Sequence, residues 1–291
     1  MISLSIIVLS YNTKDLTIKC IESIVKQYKK ELGNGKLEVV IVDNASSDAS
    51  ASEISNLKSQ ISNLRIILNK ENLGFAKGCN IGARESKGKY ILFLNSDTEV
   101  LDRGFLKMVE FLDKNPKVGI LGGRLENNDG SMQPSAGKFY NLFNLFIMLL
   151  GLERFGFLRS SPNRIQKADW VSGGCMMVRY DIFEKLRGFD ENFFMYIEDM
   201  ELCYRAKNYG FLTYFYPNVE VMHKKLGSSN KEFAIINIYK GILYFYSNHK
   251  NNLEYLIAKL MLVLKARVAI FLGIILNNKT LSATYTKAIR F

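Results

Sequence analysis

The residues able to do chemistry in this chain gather at the ends of short apolar runs. Ser10-Tyr11-Asn12 follows the first run, Asp43-Asn44 the second, Asn69 the third and Asn95-Ser96-Asp97 the fourth. Each set carries carbonyl, hydroxyl or carboxylate groups, which hold polar ligands by hydrogen bonds. One such set alone is accounted for by a turn or a helix cap, and Asn12 and Ser46 have the residue types of N-caps. Four in succession predict a polar crevice. Further on, Glu198-Asp199 opens a helical pattern through Leu202, Cys203 and Ala206. Acids in a first turn are stabilised by the helix N-terminus, so this pair has a structural reading as well as a chemical one. His223 closes the run VEVMH, where an imidazole serves as a surface group, a cap or a ligand; His249, in the polar stretch SNHKNN, is expected to be solvated. Trp170, the one tryptophan, suits either the apolar face of a bound ligand or the core, and Gly173-Gly174 leaves room beside it. The four cysteines, Cys20, Cys79, Cys175 and Cys203, are far apart and lie in apolar stretches, which predicts reduced core thiols rather than a zinc site.

These groups need elements to position them. Short β-branched runs occur at Leu4–Leu9, Leu37–Val42, Leu64–Leu68, Tyr90–Leu94 and Val118–Leu121. Helical patterns lie between them at Thr13–Gln27, Ser47–Ser59, Phe75–Ser86 and Phe105–Lys114. Strand–helix alternation at this pitch predicts βαβ units and a mainly parallel, Rossmann-like sheet flanked by helices. Ligands of such sheets bind beyond the carboxyl ends of the strands, where the polar sets stand. No G-x-G-x-x-G follows the first strand, which argues against a nicotinamide or flavin enzyme. Residues 130–168 are irregular. The second half offers too few periodic strands for a sheet of its own, so the reading is one catalytic domain over residues 1–228 and a C-terminal helical region over 229–291.

The chain has 291 residues, with 39 Lys and Arg against 28 Asp and Glu, a net charge of +11. Hydrophobic residues at 48% exclude a disordered chain, and four prolines exclude a linker-rich one. From His249 to Phe291 seven basic residues face one acid, so a net +6 of the excess lies in the tail. That tail contains the apolar stretch Leu253–Leu276, interrupted by Lys259, Lys265 and Arg267. A membrane span of ~20 apolar residues does not tolerate such charges well, whereas the surface of an anionic leaflet favours them. Phe139–Leu152 is a second apolar stretch able to join it. The alternative is a buried helix that closes the core or a dimer. No nucleic-acid-binding pattern is present, so nucleic acid is not an expected partner. The opening residues, MISLSIIVLSYN, lack the basic start and cleavage site of a signal peptide and read as a buried first strand. The expected location is therefore the cytoplasm, peripheral on the inner face of the cell membrane.

Five segments together resemble glycosyltransferase family 2, the inverting nucleotide-sugar transferases of GT-A fold: SIIVLSYN, VDNASSD, NLGFAKGCNIG, LFLNSDTEV and GFDENFFMYIEDMELCYR. The resemblance covers about Ser3 to Ser229 and is nearest to bacterial rhamnosyltransferases of surface-polysaccharide synthesis. It implies a nucleoside-diphosphate sugar as donor, with dTDP-rhamnose or a UDP-sugar favoured, and a glycan or lipid-linked glycan as acceptor. It also implies a divalent cation, Mg²⁺ or Mn²⁺. Asp97 matches the last acid of the family's D-x-D motif, with Asn95 in place of the first; one carboxylate predicts weak metal affinity without nucleotide. His223 falls where a second metal ligand is often found. Leu9, Tyr11, Asn12 and Asp43 resemble the base and ribose pocket. Gly74, Lys77, Asn80, Asn95 and Ser96 complete the expected donor site, with Gly74 and Gly78 permitting close backbone approach and Lys77 reaching a phosphate. Asp199 matches the general base that takes the acceptor hydroxyl's proton, seconded by Glu198, with Trp170, Gly173 and Gly174 beside donor sugar and acceptor. The helix terminus is expected to keep Asp199 ionised and lower its basicity. Processive synthases carry a Q-x-x-R-W signature and membrane spans; lacking both, the chain reads as a single-sugar transferase. A catalytically inactive homologue or a glycan-binding module remains the rival reading.

Overall fold

A computed structural model describes residues 2–224 and 230–290. The expected boundary at 228/229 lies outside the described residues. The first half alternates as the apolar runs require: β1 (Leu4–Ser10), α1 (Lys14–Gly33), β2 (Leu37–Asp43), α2 (Ser50–Leu57), β3 (Leu64–Leu68), α3 (Gly74–Arg84), β4 (Tyr90–Asn95), β5 (Thr98–Val100), α4 (Gly104–Lys114) and β6 (Val118–Glu126). The irregular middle holds β7 (Met132–Gln133), β8 (Ala136–Gly137), α5 (Leu142–Leu149), a 3₁₀ turn (Leu152–Phe155), β9 (Arg159–Ser160), β10 (Gln166–Ala168) and β11 (Trp170–Val171). Then come β12 (Cys175–Arg179), α6 (Tyr180–Lys185), α7 (Glu198–Asn208), β13 (Leu212–His223), α8 (Lys231–His249), α9 (Asn252–Ile275) and α10 (Lys279–Ala288).

The main sheet runs β10-β13-β6-β12-β4-β1-β2-β3, with β5 on β13 and β7 on β6; β11-β8-β9 form a small second sheet. β1 pairs in parallel with β2 and β4, β2 with β3, and β6 with β13. β12 is inserted antiparallel between β4 and β6. Successive strand residues point to opposite faces, so each central strand feeds two cores. Ile6, Val8, Leu92 and Leu94 meet α1 and α4 through Ile21, Ile24 and Phe105. Ile7, Ile91 and Phe93 meet α3 and α7 on the other face through Ala76, Cys79 and Leu202. Because both faces are covered, β2 is buried at every position. The four cysteines are free and buried, as expected, and burial pushes the thiols of Cys20, Cys175 and Cys203 up to about 12.

Helix α3 lies close to the sheet because a Cβ on Gly78 would stand 2.5 Å from Leu9 Cδ1, and one on Gly82 2.7 Å from Ile7 Cγ2. Helices α8 and α9 pack through Tyr239, Ile242, Phe245 and Leu262 into the core that also holds α3 and α7. The outer side of α9 is apolar and exposed, including Leu256, Leu260, Leu264 and Phe271. Among the described residues no helix is long and apolar enough to cross a membrane.

Candidate active site

Register brings the ends of three strands together: Leu9 of β1 is flanked by Val42 of β2 and Asn95 of β4. The crevice beyond them holds two adjoining cavities. The first, about 250 Å³, is lined by Leu9, Tyr11, Gly74, Asn95 and Ser96 from the expected donor site. Asn44 and Asn72 form part of its wall. Asn44 Nδ2 donates to Gly74 O (3.0 Å) and its Oδ1 accepts from Asn69 Nδ2 (2.7 Å). Gly74 has φ +80°, and a Cβ there would fall 2.4 Å from Phe194 O. Only glycine combines that backbone conformation with that approach. Below the cavity, Ser96 Oγ meets Thr13 Oγ1 at 3.1 Å, which continues to Thr17 and Ser10 in a buried hydroxyl network. Asp43 is buried; its Oδ1 accepts from Ser46 N–H (2.9 Å) and its Oδ2 has no partner.

Five of the ten expected donor residues do not line the first cavity: Asp43 and Asp97, both buried at strand ends, and Asn12, Lys77 and Asn80. Asn12 neither lines the cavity nor caps a helix: its Oδ1 accepts from Ser47 N–H (2.7 Å), and its own N–H donates to Ser46 Oγ. These bonds tie the loop after β1 to the loop after β2, with Asn12 in the left-handed region at φ 52°. Thr13 occupies the N-cap of α1 and Ala49 that of α2, so Ser46 is not a cap either. Asn80 is turned to the far side of α3, where Nδ2 donates to Phe189 O (2.9 Å) and Oδ1 accepts from Phe189 N–H (2.9 Å). Lys77, half-buried on the same helix, does not line the crevice.

The second cavity, about 300 Å³, shares Phe75, Asn95 and Met195 with the first and is lined by Trp170, Gly173, Gly174, Glu198, Asp199 and His223. Trp170 is both wall and core: it is buried, and its Nε1–H donates to Lys138 O (3.0 Å). Asp199 Oδ2 accepts from Gly173 N–H (3.0 Å) and Oδ1 from Met200 N–H (2.7 Å). Tyr196 and Ile197, immediately before the acidic pair, both adopt left-handed φ, of 71° and 75°. Two such residues in a row are costly and turn the chain sharply enough to aim both carboxyls at the cavity. Burial raises the Asp199 carboxyl above its ordinary range, against the opposing pull of the two amides and Arg159. The backbone amides at the helix terminus lower it as expected, and desolvation outweighs them. Glu198 is raised well above its usual range by burial and then by the Asp199 charge, and its Oε2 has no partner.

At the junction of the cavities, β5 pairs antiparallel with the end of β13, setting Thr98 opposite His223. Asp97 Oδ1 is buried, accepts no hydrogen bond, and lies 3.2 Å from His223 Nε2. Asn95 Nδ2 is also 3.2 Å from that nitrogen. Among the described residues no group of three or more His, Cys, Asp or Glu is placed to hold a metal ion. An orphaned carboxylate oxygen beside an imidazole nitrogen nevertheless fits a hard cation that takes its other ligands from phosphate oxygens.

Several residues of the site carry no signal in the sequence. Tyr140, Glu153 and Arg159 come from the irregular middle and line the second cavity, with the Arg159 guanidinium 5.2 Å from the Trp170 ring centre. His249, expected to be solvated, instead meets Glu201 Oε1 at 3.0 Å and packs against Tyr204 and Phe245.

A two-cavity crevice at the carboxyl ends of a mainly parallel sheet, with an acidic pair in its second cavity and Asp97 buried beside His223 of that cavity's wall, defines a nucleotide-sugar glycosyltransferase of GT-A type. The chain belongs to glycosyltransferase family 2: the family's model, "Glycosyl transferase family 2", matches residues 5–187. The match ends before Glu198, Asp199 and His223. The chain is 26% identical over 218 residues to an N-acetylglucosaminyl-diphospho-decaprenol L-rhamnosyltransferase of Mycobacterium tuberculosis, which covers 68% of this chain and 70% of the relative. It is 24% identical over 235 residues to the dTDP-rhamnosyl transferase RfbF of Shigella flexneri, covering 80% and 72%. Among solved structures, GalNAc-T7 with UDP, GalNAc and Mn²⁺ superposes with a TM-score of 0.62 at 16% identity, over 84% of this chain. The chain spans 50% of the length of that structure, and this likeness speaks for the fold.

Proposed function

We propose that the chain is an inverting transferase that moves one sugar from a nucleoside-diphosphate donor, dTDP-rhamnose or a UDP-sugar, to a glycan or lipid-linked glycan in bacterial surface-polysaccharide synthesis. The observation that carries this reading is the pair of adjoining cavities that share Asn95, with Asp199 in the second and Asp97 buried beside His223 of its wall. The donor occupies the first cavity, its base toward Tyr11 and the unpartnered Oδ2 of Asp43. The acceptor occupies the second, near Trp170 and Gly173. An acceptor hydroxyl attacks the anomeric carbon opposite the leaving diphosphate; the new C–O bond forms as the bond to phosphate breaks, and the hydroxyl proton passes to Asp199. Burial makes Asp199 a stronger base than an exposed aspartate. Asp97 Oδ1 and His223 Nε2 would hold Mg²⁺ or Mn²⁺, which supplies positive charge to the departing diphosphate. The names of the two relatives favour rhamnose as the sugar.

The exposed side of α9 and its neighbour α5 support work at an anionic membrane surface. Phe143 of α5 is 70% exposed, while Met148 of the same helix lines the second cavity. An acceptor held in a membrane therefore has an apolar surface beside the site that receives its sugar.

The test is a thermal-shift panel of UDP, dTDP, GDP and CMP, each with and without Mn²⁺. A ligand present at about 100 times its Kd stabilises by roughly 2.7 kcal/mol. A Mn²⁺-dependent shift confined to dTDP or UDP is the expected result. No shift with any nucleotide would overturn the reading in favour of an inactive homologue or a glycan-binding module.

A further inference from the structure

His223 has two ring nitrogens, and only one faces Asp97. The other, Nδ1, is 2.8 Å from Gln133 Oε1. Gln133 belongs to β7, a two-residue strand whose pairing with β6 sets it opposite Leu125. Its amide orientation is fixed by its own donor group, because Nε2 donates to the backbone oxygen of His223 (2.6 Å) and to Asn127 Oδ1 (2.8 Å). A backbone carbonyl only accepts, so the atom turned to the imidazole is the carbonyl oxygen.

The same direction follows independently from the far end of the chain of bonds. Asp129 Oδ1 accepts from Ser131 Oγ (2.6 Å) and from Ser131 N–H (2.9 Å). With its one proton given to Asp129, Ser131 Oγ accepts from Asn127 Nδ2 (2.8 Å). That bond turns Asn127 Oδ1 toward Gln133 Nε2, as found. The line Asp129, Ser131, Asn127, Gln133 therefore ends on an oxygen that only an N–H can meet.

We propose that Gln133 is a positioning residue whose carbonyl oxygen holds the His223 proton on Nδ1, leaving Nε2 as the ring nitrogen free to ligate beside Asp97 Oδ1. Nε2 then presents a lone pair and Asp97 Oδ1 an unpartnered oxygen 3.2 Å apart, two donor atoms near enough to share one cation. The arrangement thus prepares a cation ligand before the cation arrives, and this use of it rests on the metal reading of the proposed function. The partner on the second ring nitrogen sets which nitrogen is free to ligate, and loss of such a partner weakens metal affinity by about 10–100-fold. Asn95 Nδ2, 3.2 Å from Nε2, donates to the same lone pair and agrees with this tautomer.

Nitrogen-15 NMR of the imidazoles reads the tautomer directly, without metal, nucleotide or turnover. The chain has two histidines, and the signal missing in His223→Asn identifies His223. At a pH where the ring is neutral, the wild type is expected to show the Nδ1–H pattern. Gln133→Leu is expected to shift His223 toward Nε2–H, and Gln133→Glu, whose carboxylate still accepts from Nδ1–H, to restore it. Mn²⁺ binding in the presence of dTDP or UDP, read by electron paramagnetic resonance, is expected to weaken about tenfold in Gln133→Leu and less in Gln133→Glu. An Nε2–H pattern in the wild type, which needs no variant to fold, would overturn the proposal. So would an unchanged Nδ1–H pattern in Gln133→Leu with His249 signals as in the wild type. If the tautomer follows Gln133 but no form binds Mn²⁺, the role of Gln133 stands and the cation leaves the proposed function.

Discussion

Asp199 owes its proposed role to two opposed influences on one carboxyl. The amides of Gly173 and Met200 stabilise its charge, and burial opposes it more strongly. As a base it must be ionised to act, so a raised value moves the acid limb of activity upward in pH: transfer is lost on acidification sooner than for a group at the ordinary aspartate value of 3.8. Asp199→Asn removes the base and keeps one of the two amide contacts, because its single oxygen accepts from one N–H while its Nδ2 faces the other. Transfer is expected to fall by about 10²–10⁴-fold with donor binding unchanged. Rate profiles against pH, with nucleotide titrations of the variant, check both statements; normal turnover in Asp199→Asn would remove the assignment. At this scale the sequence is informative where a motif fixes a residue to a strand end. Leu9, Tyr11, Asn95 and Ser96 reach the first cavity because β1 and β4 stop there. Asn80 shows the opposite case: on a helix packed by both its neighbours, residue type does not say which side of α3 faces the ligand. Gln133 and Arg159 arrive from short strands in an irregular stretch, where no period announces a position.

Element by element, legibility follows burial. β1, β2 and β4 are continuous apolar runs because helices cover both faces, and each was readable to within a residue. β13 is different. Its twelve residues include Pro217 and a shift in pairing with β6 between Tyr216 and Val221, so no single alternation runs through it. α1 extends to Gly33, past the Gln27 suggested by its apolar face, through a local kink at Tyr28. α2 is shorter than its pattern, Ser50–Leu57 rather than Ser47–Ser59, because Ser46 and Ser47 bond to Asn12. The element that matters most for the site is α7, which begins with the acidic pair. Two turns in, Arg205 Nε and Nη2 each meet Glu201 at 2.7 Å, and Nη2 donates to Gly188 O (2.8 Å). Glu201 is buried and is shared with His249 at the end of α8, so one carboxylate joins the acid-bearing helix to the C-terminal helices. Arg205→Met leaves that carboxylate buried beside only an imidazole. The loss expected is about 3–5 kcal/mol in chemical denaturation. A change below ~1 kcal/mol would mean that the network contributes little to holding α7.

Across the whole molecule, the uneven charge and the apolar tail become one surface. α9 uses its small residues, Ala258, Ala266, Ala269 and Gly273, together with Leu262 to pack inward. Its leucines at 256, 260 and 264 and Phe271 remain outside, with Arg267 exposed among them. The tail thus closes the core on one side, as one of the two alternatives expected, and leaves an apolar face with Arg267 exposed on the other. α5 packs against α9 and adds Phe143 and Phe146 to that face. An exposed apolar surface of this extent on a chain with a net charge of +11 is costly in water, and under the proposed function its leucines would enter the acyl boundary of an anionic leaflet while the cations meet headgroups. Replacing Leu260, Leu264 and Phe271 together by serine removes apolar area already exposed to water, so the denaturation midpoint should hardly move. Association with vesicles containing anionic lipid should fall by at least about tenfold, the equivalent of roughly 1.4 kcal/mol. Raising the salt should weaken the wild type further, because the headgroup attraction is screened. Co-sedimentation with anionic and neutral vesicles at low and high salt measures the last two effects, and a denaturation curve the first. Equal sedimentation of wild type and variant would detach the exposed face from the membrane and leave the acceptor to be delivered from solution.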